Sequence, residues 1–238
     1  TTAAISGLGT DQIAKLTTDE LSSLTSGQIQ ALGTSGVNAI STSNVSSLST
    51  ASIAALTSSQ FSNLNPAIFG ALSSAQLGAL STSNIASLGS GQVQGLQSSG
   101  ISYLTSKQVV ALGSTGISYL TSSEIPALTT SSVAALTSDQ ITALGTSLTF
   151  MQPSQLQALN TKSLSGLTTG QVSALQTTVS VLKPSQLSSL SSGIISVLSS
   201  DQLNSLGTSG ISSLTSAQVG AIQTGSLAKL TTGQLGAL

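Results

Sequence analysis

Residues 136–144 read Leu-Thr-Ser-Asp-Gln-Ile-Thr-Ala-Leu, and variants of this pattern recur along the whole chain. The repeating unit is an octad, as in residues 137–144: two hydroxyl residues, an acidic or small residue, Gln, an apolar residue, two small or polar residues and a closing Leu. A closing Leu or Ile falls every eight residues from Leu8 to Leu144, with a second apolar residue three positions before it. An internal repeat of this kind decides the fold before any other feature is considered.

Thirty octads fill residues 1–238, and we number them in chain order. Octads 1–18 cover residues 1–144. Two later octads, 19 and 23, are one residue short (145–151 and 176–182). The fourth position is Gln in the even-numbered octads, with Asn44 and Glu124 as exceptions, and never Gln in the odd-numbered ones. This alternation predicts a 16-residue coil of two octads, with the Gln and non-Gln octads on different sides.

A short helix restarted in every octad explains the spacing best. A continuous helix fails because eight residues at about 100° each advance the apolar pair by about 80° per repeat. A plain strand fails because spacings of three and five break its alternation. In octad 18, Thr137 as N-cap and Gln140 three residues later form a capping box. Asp139 lies in the first turn, where the helix dipole favours a carboxylate, and Ile141 and Leu144 share one face.

Proline and glycine test the helix prediction independently. Pro66, Pro153 and Pro184 occupy the second octad position, the first helical residue that Pro prefers. Pro126 occupies the sixth position of octad 16, where it would remove a helical hydrogen bond. Glycines such as Gly33, Gly113, Gly145 and Gly207 follow a closing Leu, where a left-handed residue is expected at a helix end.

The predicted fold is therefore an all-α solenoid of about 30 very short helices, forming a single repeat domain over 1–238. The alternative is a solenoid with a short strand in each coil. Odd octads such as 113–120 lack the capping Gln and carry two glycines, so 3₁₀ turns or short extended segments are also compatible with them. The seventh position is small in most octads, as close packing of short segments requires.

Composition excludes several classes of function. The chain has no Cys, so disulfides and thiolate metal sites are excluded. Its five lysines are scattered and its net charge is −1, so there is no basic face for nucleic acid. No apolar run approaches the roughly 18 residues of a membrane span, and no basic, hydrophobic leader stands at the start. A Ser/Thr/Gly/Asn-rich chain with few charges is typical of bacterial extracellular proteins.

No catalytic constellation is apparent, so we expect neither an enzyme nor a cofactor nor a metal site. The chain has no His, and its many Ser residues have no base to activate them. Asp19 and Glu20 are adjacent acids, but the first turn of a helix explains them without acid–base chemistry. Two carboxylates without a nucleophile or a metal-ligand spacing do not make an active site.

Two surface features are candidate binding sites. Tyr103 and Tyr119 lie 16 residues apart at the normally small seventh position, and a 16-residue coil would stack them as a platform for a sugar or a partner chain. A local packing adjustment is the favoured explanation. The hydroxyls of the first and second octad positions would form rows. Helix capping and a polar surface explain these rows, and a lattice for lateral association, O-glycosylation or binding of polysaccharide is the alternative.

The run Ala-Leu-Thr-Ser-x-Gln-Ile-x-Ala-Leu, as in residues 135–144, resembles repeats of large, repeat-rich bacterial cell-surface or adhesin-like proteins. The resemblance covers essentially the whole chain. It implies secretion and a structural or adhesive role, and it assigns no functional residue.

The functional prediction is a non-enzymatic extracellular structural protein that assembles with itself, head to tail, into a surface filament or layer. The first and last octads carry the same apolar pair as the interior (Ile5 and Leu8; Leu235 and Leu238). Solenoid ends normally need polar caps, and exposed apolar ends tend to stack in open-ended contacts. The alternative is a passive spacer or ligand-binding module of a large secreted adhesin, with polysaccharide or other cell-surface material as its partner.

Overall fold

The computed structural model describes all residues from 1 to 238. They form two compact units, unit 1 (Thr1–Ala127) and unit 2 (Leu128–Leu238), and each is described by itself. Every regular element is an α-helix or a 3₁₀ helix. The predicted all-α solenoid of very short helices is confirmed, and the alternative with a strand in each coil is wrong. That residues 1–238 form a single domain stays a prediction.

Unit 1 contains one helix in each of octads 1–16. These are α1 (Thr2–Ser6), α2 (Thr10–Ile13), α3 (Thr18–Ser22), α4 (Ser26–Ala31), α5 (Gly33–Ala39), α6 (Thr42–Val45), α7 (Thr50–Ala54), α8 (Ser58–Ser62), α9 (Pro66–Ala71), α10 (Ser74–Gly78), α11 (Thr82–Ala86), α12 (Ser90–Gly95), α13 (Gln97–Tyr103), α14 (Ser106–Ala111), α15 (Gly113–Ser118) and the 3₁₀ helix η1 (Ile125–Ala127).

Unit 2 continues with one helix in each of octads 17–30. These are α16 (Thr130–Ala135), α17 (Ser138–Ala143), η2 (Gly145–Phe150), α18 (Pro153–Ala158), η3 (Ser163–Gly166), α19 (Thr169–Leu175), η4 (Gln176–Val181), α20 (Pro184–Ser189), α21 (Ser192–Ile195), α22 (Ser200–Ser205), α23 (Gly207–Ser212), α24 (Ser216–Ala221), α25 (Thr224–Leu227) and α26 (Thr232–Leu235). No helix in either unit has the length and apolar character needed to cross a membrane.

The helices begin where the capping chemistry predicts. In octad 18, Thr137 adopts an extended conformation (φ −84°, ψ 163°) and its side chain accepts a hydrogen bond from the backbone N–H of Gln140. The Gln140 side chain accepts one from the backbone N–H of Thr137 in return, at 3.2 Å. Pro66, Pro153 and Pro184 each lie at the start of a helix, as predicted. Isolated helices this short are unstable in water, so their stability has to come from packing on neighbours.

Three of the four 3₁₀ helices lie in octads that are one residue short or contain Pro126. The two seven-residue octads form the 3₁₀ helices η2 and η4, and the octad that contains Pro126 forms η1. A 3₁₀ helix rises about 2.0 Å per residue against 1.5 Å in an α-helix. One residue fewer can therefore span nearly the same length, so a deletion is absorbed without a break in the array. Pro126 lacks the N–H that an α-helical hydrogen bond needs.

Glycine at the fourth position follows from the way some odd octads begin. In octad 15 the preceding helix runs into Leu112, and the chain reverses through Gly113 at φ +64°. A Cβ on Gly116 would lie only 2.9 Å from Leu112 Cβ, so a side chain does not fit there. In the short octads the fourth residue is absent altogether, and their first residues, Gly145 (φ +52°) and Gln176 (φ +48°), make the same reversal.

The turn of the solenoid is set by contacts between octads three and four positions apart. Gln76 in octad 10 hydrogen-bonds to the carbonyl of Leu48 in octad 6, 28 residues earlier. Ser26 in octad 4 hydrogen-bonds to the carbonyl of Ala51 in octad 7, 25 residues later. One turn therefore takes between three and four octads, about 28 residues, and the predicted 16-residue coil of two octads is a misassignment of the turn.

The alternation of Gln and non-Gln octads has a different meaning from the one predicted. A step of four octads always joins two even or two odd octads, so the alternation is compatible with a 28-residue turn. Octads three apart are also neighbours, as α1 with α4 and α17 with η3 show, and these pairs mix the two kinds. The two kinds of octad therefore do not lie on separate sides.

The core of each unit is built from the fifth and eighth octad positions. Interior examples such as Ile53, Leu56 and Ile85 are almost completely buried. Phe61 and Phe69 occupy the fifth positions of octads 8 and 9, with ring centroids 5.9 Å apart in a tilted arrangement. From octad 5 onward the fourth position is nearly always buried as well, which brings a row of amides into the core.

Candidate functional site

The buried glutamines connect successive turns of the solenoid. Gln76 is 1 % exposed. Its Oε1 accepts a hydrogen bond from the backbone N–H of Ser73 at 2.8 Å. This is the helix-capping hydrogen bond that the sequence predicts. Its Nε2 donates to the carbonyls of Val45 and Leu48, at 3.0 and 2.8 Å. One side chain thus caps its own helix and also pairs carbonyls at the C-terminal end of the helix four octads earlier.

The same double role recurs along both units, and we call this row of side chains the amide ladder. Seven further glutamines donate from Nε2 to two carbonyls 26 to 31 residues earlier: Gln92, Gln108, Gln171, Gln186, Gln202, Gln218 and Gln234. Some odd octads use a shorter side chain. Ser52 Oγ and Asn84 Nδ2 each donate at 2.8 Å to a closing Leu carbonyl 28 residues earlier.

The ladder resolves a problem that short helices create. The last carbonyls of a helix have no partner within it, and leaving them buried and unpaired would cost about 1–3 kcal/mol each. A Gln at the start of a later helix pairs them. Sequence reasoning found the capping half of this arrangement from the i, i+3 spacing. It missed the donor half because that half joins residues about 28 positions apart.

In the first four octads, the fourth-position side chains have no octad of the structure four positions earlier to pair with. Gln12 and Glu20 are exposed and Gln28 is half-buried, whereas the fourth positions of later octads are buried except for the half-buried Asn44 and Gln92. Glu20 Oε2 accepts hydrogen bonds from the backbone N–H and the hydroxyl of Thr17, both at 2.9 Å. These hydrogen bonds lower the pKa of Glu20 below its usual value. This end of unit 1 therefore exposes two amide donors and one carboxylate.

The last four octads present the opposite surface. Leu235 and Leu238 are each 47 % exposed. Val219 and Leu227 are half-buried, although their counterparts in interior octads are buried. The predicted end residues Ile5 and Leu8 of octad 1 are also only half-buried. The structure thus places all four predicted interface residues on incompletely covered end turns, and their use as an interface stays a prediction.

The two tyrosines are not stacked on each other. Tyr103 and Tyr119 belong to octads 13 and 15, which are two octads apart, whereas neighbouring turns bring together octads three or four apart. The only ring pair within unit 1 is Phe61 with Phe69. Tyr103 is 48 % exposed. The prediction that the two rings stack as a paired platform is therefore wrong. Contact of either ring with a ligand stays a prediction.

The hydroxyl rows are partly used inside the fold. First-position hydroxyls such as those of Thr25, Thr57 and Thr137 cap their own helices. The second and third positions are mostly exposed. Capping therefore explains the first position, while the remaining hydroxyls form a polar surface.

A shallow cleft of about 360 Å³ lies in unit 2. It is lined by Ala135, Leu136, Thr137, Ser138, Asn160, Lys162 and Ser163. Asn160 Nδ2 already donates to the carbonyls of Ala134 and Leu136, at 2.7 and 3.3 Å, and its Oδ1 accepts from the backbone N–H of Ser163 at 2.7 Å. Across residues 1–238 no cluster of His, Cys, Asp or Glu could hold a metal ion.

Comparison with known proteins supports the repeat nature of the chain. A family model described as the ALTTAQ repeat matches residues 67–98. The matched stretch is 32 residues long, which is the length of the four-octad step made by the amide ladder. A search of curated proteins finds no match to the chain. A bacterial adhesin context remains a resemblance.

Proposed function

We propose that this chain is a non-enzymatic structural protein that assembles with itself by stacking the end turns of its solenoid into a filament or layer. The observation that carries the proposal is the regular stacking of octads three and four positions apart along each unit, since each turn presents to the next the apolar residues that Leu235 and Leu238 expose in octad 30. Burying a Leu side chain fully gains about 1.5–3 kcal/mol, so a second array that covers this turn gains the contacts that interior turns already have.

We further propose that the assembly works outside the cell, at a cell surface. The support is compositional. The chain has 5 % charged residues and no Cys, and its exposed octad positions are mainly Ser and Thr. With so few charges, electrostatic repulsion between copies is weak, which favours association over dispersion. Polysaccharide or other cell-surface material is the additional partner that the exposed hydroxyls suit.

Electron microscopy of the purified chain over a concentration series tests the assembly. We expect filaments or layers with a regular repeat, which grow with concentration. Isolated particles at every concentration would contradict self-assembly and favour the second candidate, a spacer or ligand-binding module of a large secreted adhesin. Hydrolase activity that copurifies with the chain and is lost on a point substitution would contradict the non-enzymatic part.

Replacing Leu235 and Leu238 together with Lys should abolish the assembly. Each substitution places a charge on a surface that stacking would remove from water, and a buried unpaired charge is strongly unfavourable. The matched control introduces two lysines at exposed sixth positions of the last two octads, Ala228 and Gly236. Light scattering should show that the control assembles like the wild type. Equal loss in both variants would mean that added charge alone, and not the apolar turn, decides association.

A further inference from the structure

The cleft of unit 2 lies where one octad departs from the amide ladder. Octad 21 has Ser163 at its fourth position, as octad 7 has Ser52. Ser52 Oγ donates to the closing Leu24 carbonyl four octads earlier, at 2.8 Å. Ser163 Oγ instead donates to the carbonyl of Asn160 in its own octad, at 2.9 Å. The side-chain link to octad 17 is made by Asn160, whose Nδ2 donates to two carbonyls there. In octad 21 this link has therefore moved from the fourth position to the first.

The cleft lies between the junction of octads 17 and 18 and the start of octad 21. Its volume of about 360 Å³ is within the range of about 300–1,000 Å³ that is typical of ligand pockets. Leu136 and Ser163 form its floor, since each lines the cleft and is only 1 % exposed. Ser138 and Asn160 are half-buried in its walls, and Lys162 is exposed at its rim. An apolar floor with a few polar groups around it is the usual character of a binding site.

Hydrogen bonds and close packing hold the walls of the cleft in place. The Asn160 side chain makes three hydrogen bonds, two from Nδ2 to octad 17 and one to Oδ1 from the backbone N–H of Ser163. Thr142 Oγ1 donates to the Gly166 carbonyl at 2.7 Å, and a Cβ on Gly166 would lie 1.9 Å from the backbone oxygen of Ser138. The two sides of the cleft, α17 and η3, are therefore fixed relative to each other. A ligand meets groups that are already ordered, which lowers the entropic cost of binding.

The polar groups of the cleft suit a ligand that has one negative charge and several hydroxyls. Lys162 is the charged residue of the lining, and its ammonium group is a point charge with three donors. Asp139 is exposed beside Ser138 and does not belong to the lining. The hydroxyl of Ser138 can donate and accept hydrogen bonds. Ser163 Oγ gives its proton to the Asn160 carbonyl and keeps lone pairs for a donor on the ligand.

We propose that this cleft binds a uronic acid residue of an acidic polysaccharide, with the sugar carboxylate on Lys162 and sugar hydroxyls on Ser138 and Ser163. The inference rests on the polysaccharide partner of the proposed function and deepens it, because it names the site and the charge of that partner. It does not depend on self-assembly. One ammonium group balances one carboxylate, whereas a phosphate or a densely sulfated chain carries more charge than the cleft can match. The exposed second and third octad positions around the cleft offer a polar surface to the neighbouring sugars of the chain.

The substitution Lys162→Gln should weaken the binding of an oligogalacturonate about fivefold at low salt, because it removes the charge that pairs with the carboxylate. Lys183→Gln is the matched control, since it removes one positive charge from an exposed lysine of unit 2 that lies outside the lining. Isothermal titration calorimetry should show K183Q within about twofold of the wild type. The difference between K162Q and the wild type should shrink as salt is added, because exposed charges are screened.

The substitution Ser138→Ala tests the hydroxyl contact. Octad 26 repeats the start of octad 18, with a hydroxyl residue followed by Ser, Asp and Gln, and its Ser200 is half-buried like Ser138 but lies outside the lining. Both serines are the first residue of their helix. S138A should weaken oligogalacturonate binding about threefold, and S200A should leave it unchanged. The urea midpoints of the two variants should be equal, so a loss of binding in S138A alone reports contact with the sugar and not a change in folding.

Two further ligands distinguish an acidic sugar from its parts. A neutral maltooligosaccharide of the same length should bind the wild type about fivefold more weakly than the oligogalacturonate, and K162Q should not change its affinity. Inorganic phosphate at the concentration of the oligogalacturonate should not displace it, because phosphate has no hydroxyls for Ser138 and Ser163 to pair with. Displacement by phosphate would mean that the cleft takes any small oxyanion, and the sugar part of the proposal would be wrong.

The outcomes separate the site from the proposed function. If the oligogalacturonate binds but K162Q behaves like K183Q and S138A like S200A, a polysaccharide partner stands and this cleft is not its site. If neither oligosaccharide binds the wild type, the site and the polysaccharide part of the proposed function both fail, while the assembly seen by electron microscopy is judged on its own. Weaker binding by K162Q and S138A, silent controls and a preference for the acidic sugar would together establish the site.

Discussion

The Gly166→Ala chain is expected to lose about 3 kcal/mol of stability in unit 2, near the upper end of the cost of overpacking. Gly166 is the seventh residue of octad 21, and a Cβ built there lies 1.9 Å from the backbone oxygen of Ser138 in octad 18. Thr142 holds the two segments together, because its hydroxyl donates to the Gly166 carbonyl at 2.7 Å. Backbone cannot move aside as a flexible side chain would, so η3 has to separate from α17.

Gly170→Ala is the matched control for this prediction. It adds the same methyl group in the next octad, where a Cβ meets nothing within 4 Å. A Gly to Ala change without strain typically stabilises by about 0.4–1 kcal/mol through the unfolded chain. Urea unfolding followed by circular dichroism should therefore move the midpoint down for G166A and slightly up for G170A. Equal midpoints would mean that the seventh position does not contact the neighbouring turn.

The Gln76→Met chain should lose about 3 kcal/mol of stability in unit 1. Methionine keeps the length and flexibility of the side chain but leaves the carbonyls of Val45 and Leu48 and the N–H of Ser73 without their hydrogen bonds to Gln76. Each buried polar group left unpaired costs about 1–3 kcal/mol. The Leu48 carbonyl is the most affected, because Gln76 is the donor that reaches it across the turn.

Gln12→Met separates the two halves of the glutamine's role. Gln12 Oε1 accepts a hydrogen bond from the backbone N–H of Gly9 at 2.9 Å, so it caps its helix as Gln76 does. It lies in the first turn and is exposed. Q12M should therefore cost only about 1 kcal/mol, the usual value of a cap. Denaturation of both variants under the same conditions checks this difference. Equal losses would mean that the inter-turn hydrogen bonds contribute nothing.

The local structure of this protein followed from the sequence. The capping box of Thr137 and Gln140 and the prolines at the starts of helices are decided by groups within about four residues of one another. Interactions over that range depend on residue type and spacing, and both can be read directly from the octad. One short helix per octad, and hence an all-α solenoid, was determined at this level.

The turn length and everything that depends on it were decided by the tertiary structure. How many octads close a turn depends on the angle at each corner, and small differences in φ and ψ at the residues after each closing Leu add up around the turn. The 16-residue alternation suggested a turn of two octads. A step of four octads also joins octads of the same kind, so the alternation could not distinguish the two. Tertiary packing also decided which carbonyls accept hydrogen bonds from Gln76 Nε2, the separation of Tyr103 from Tyr119 and the exposure of Glu20. All of these depend on which residues about 28 positions apart face each other, and local chemistry cannot specify that.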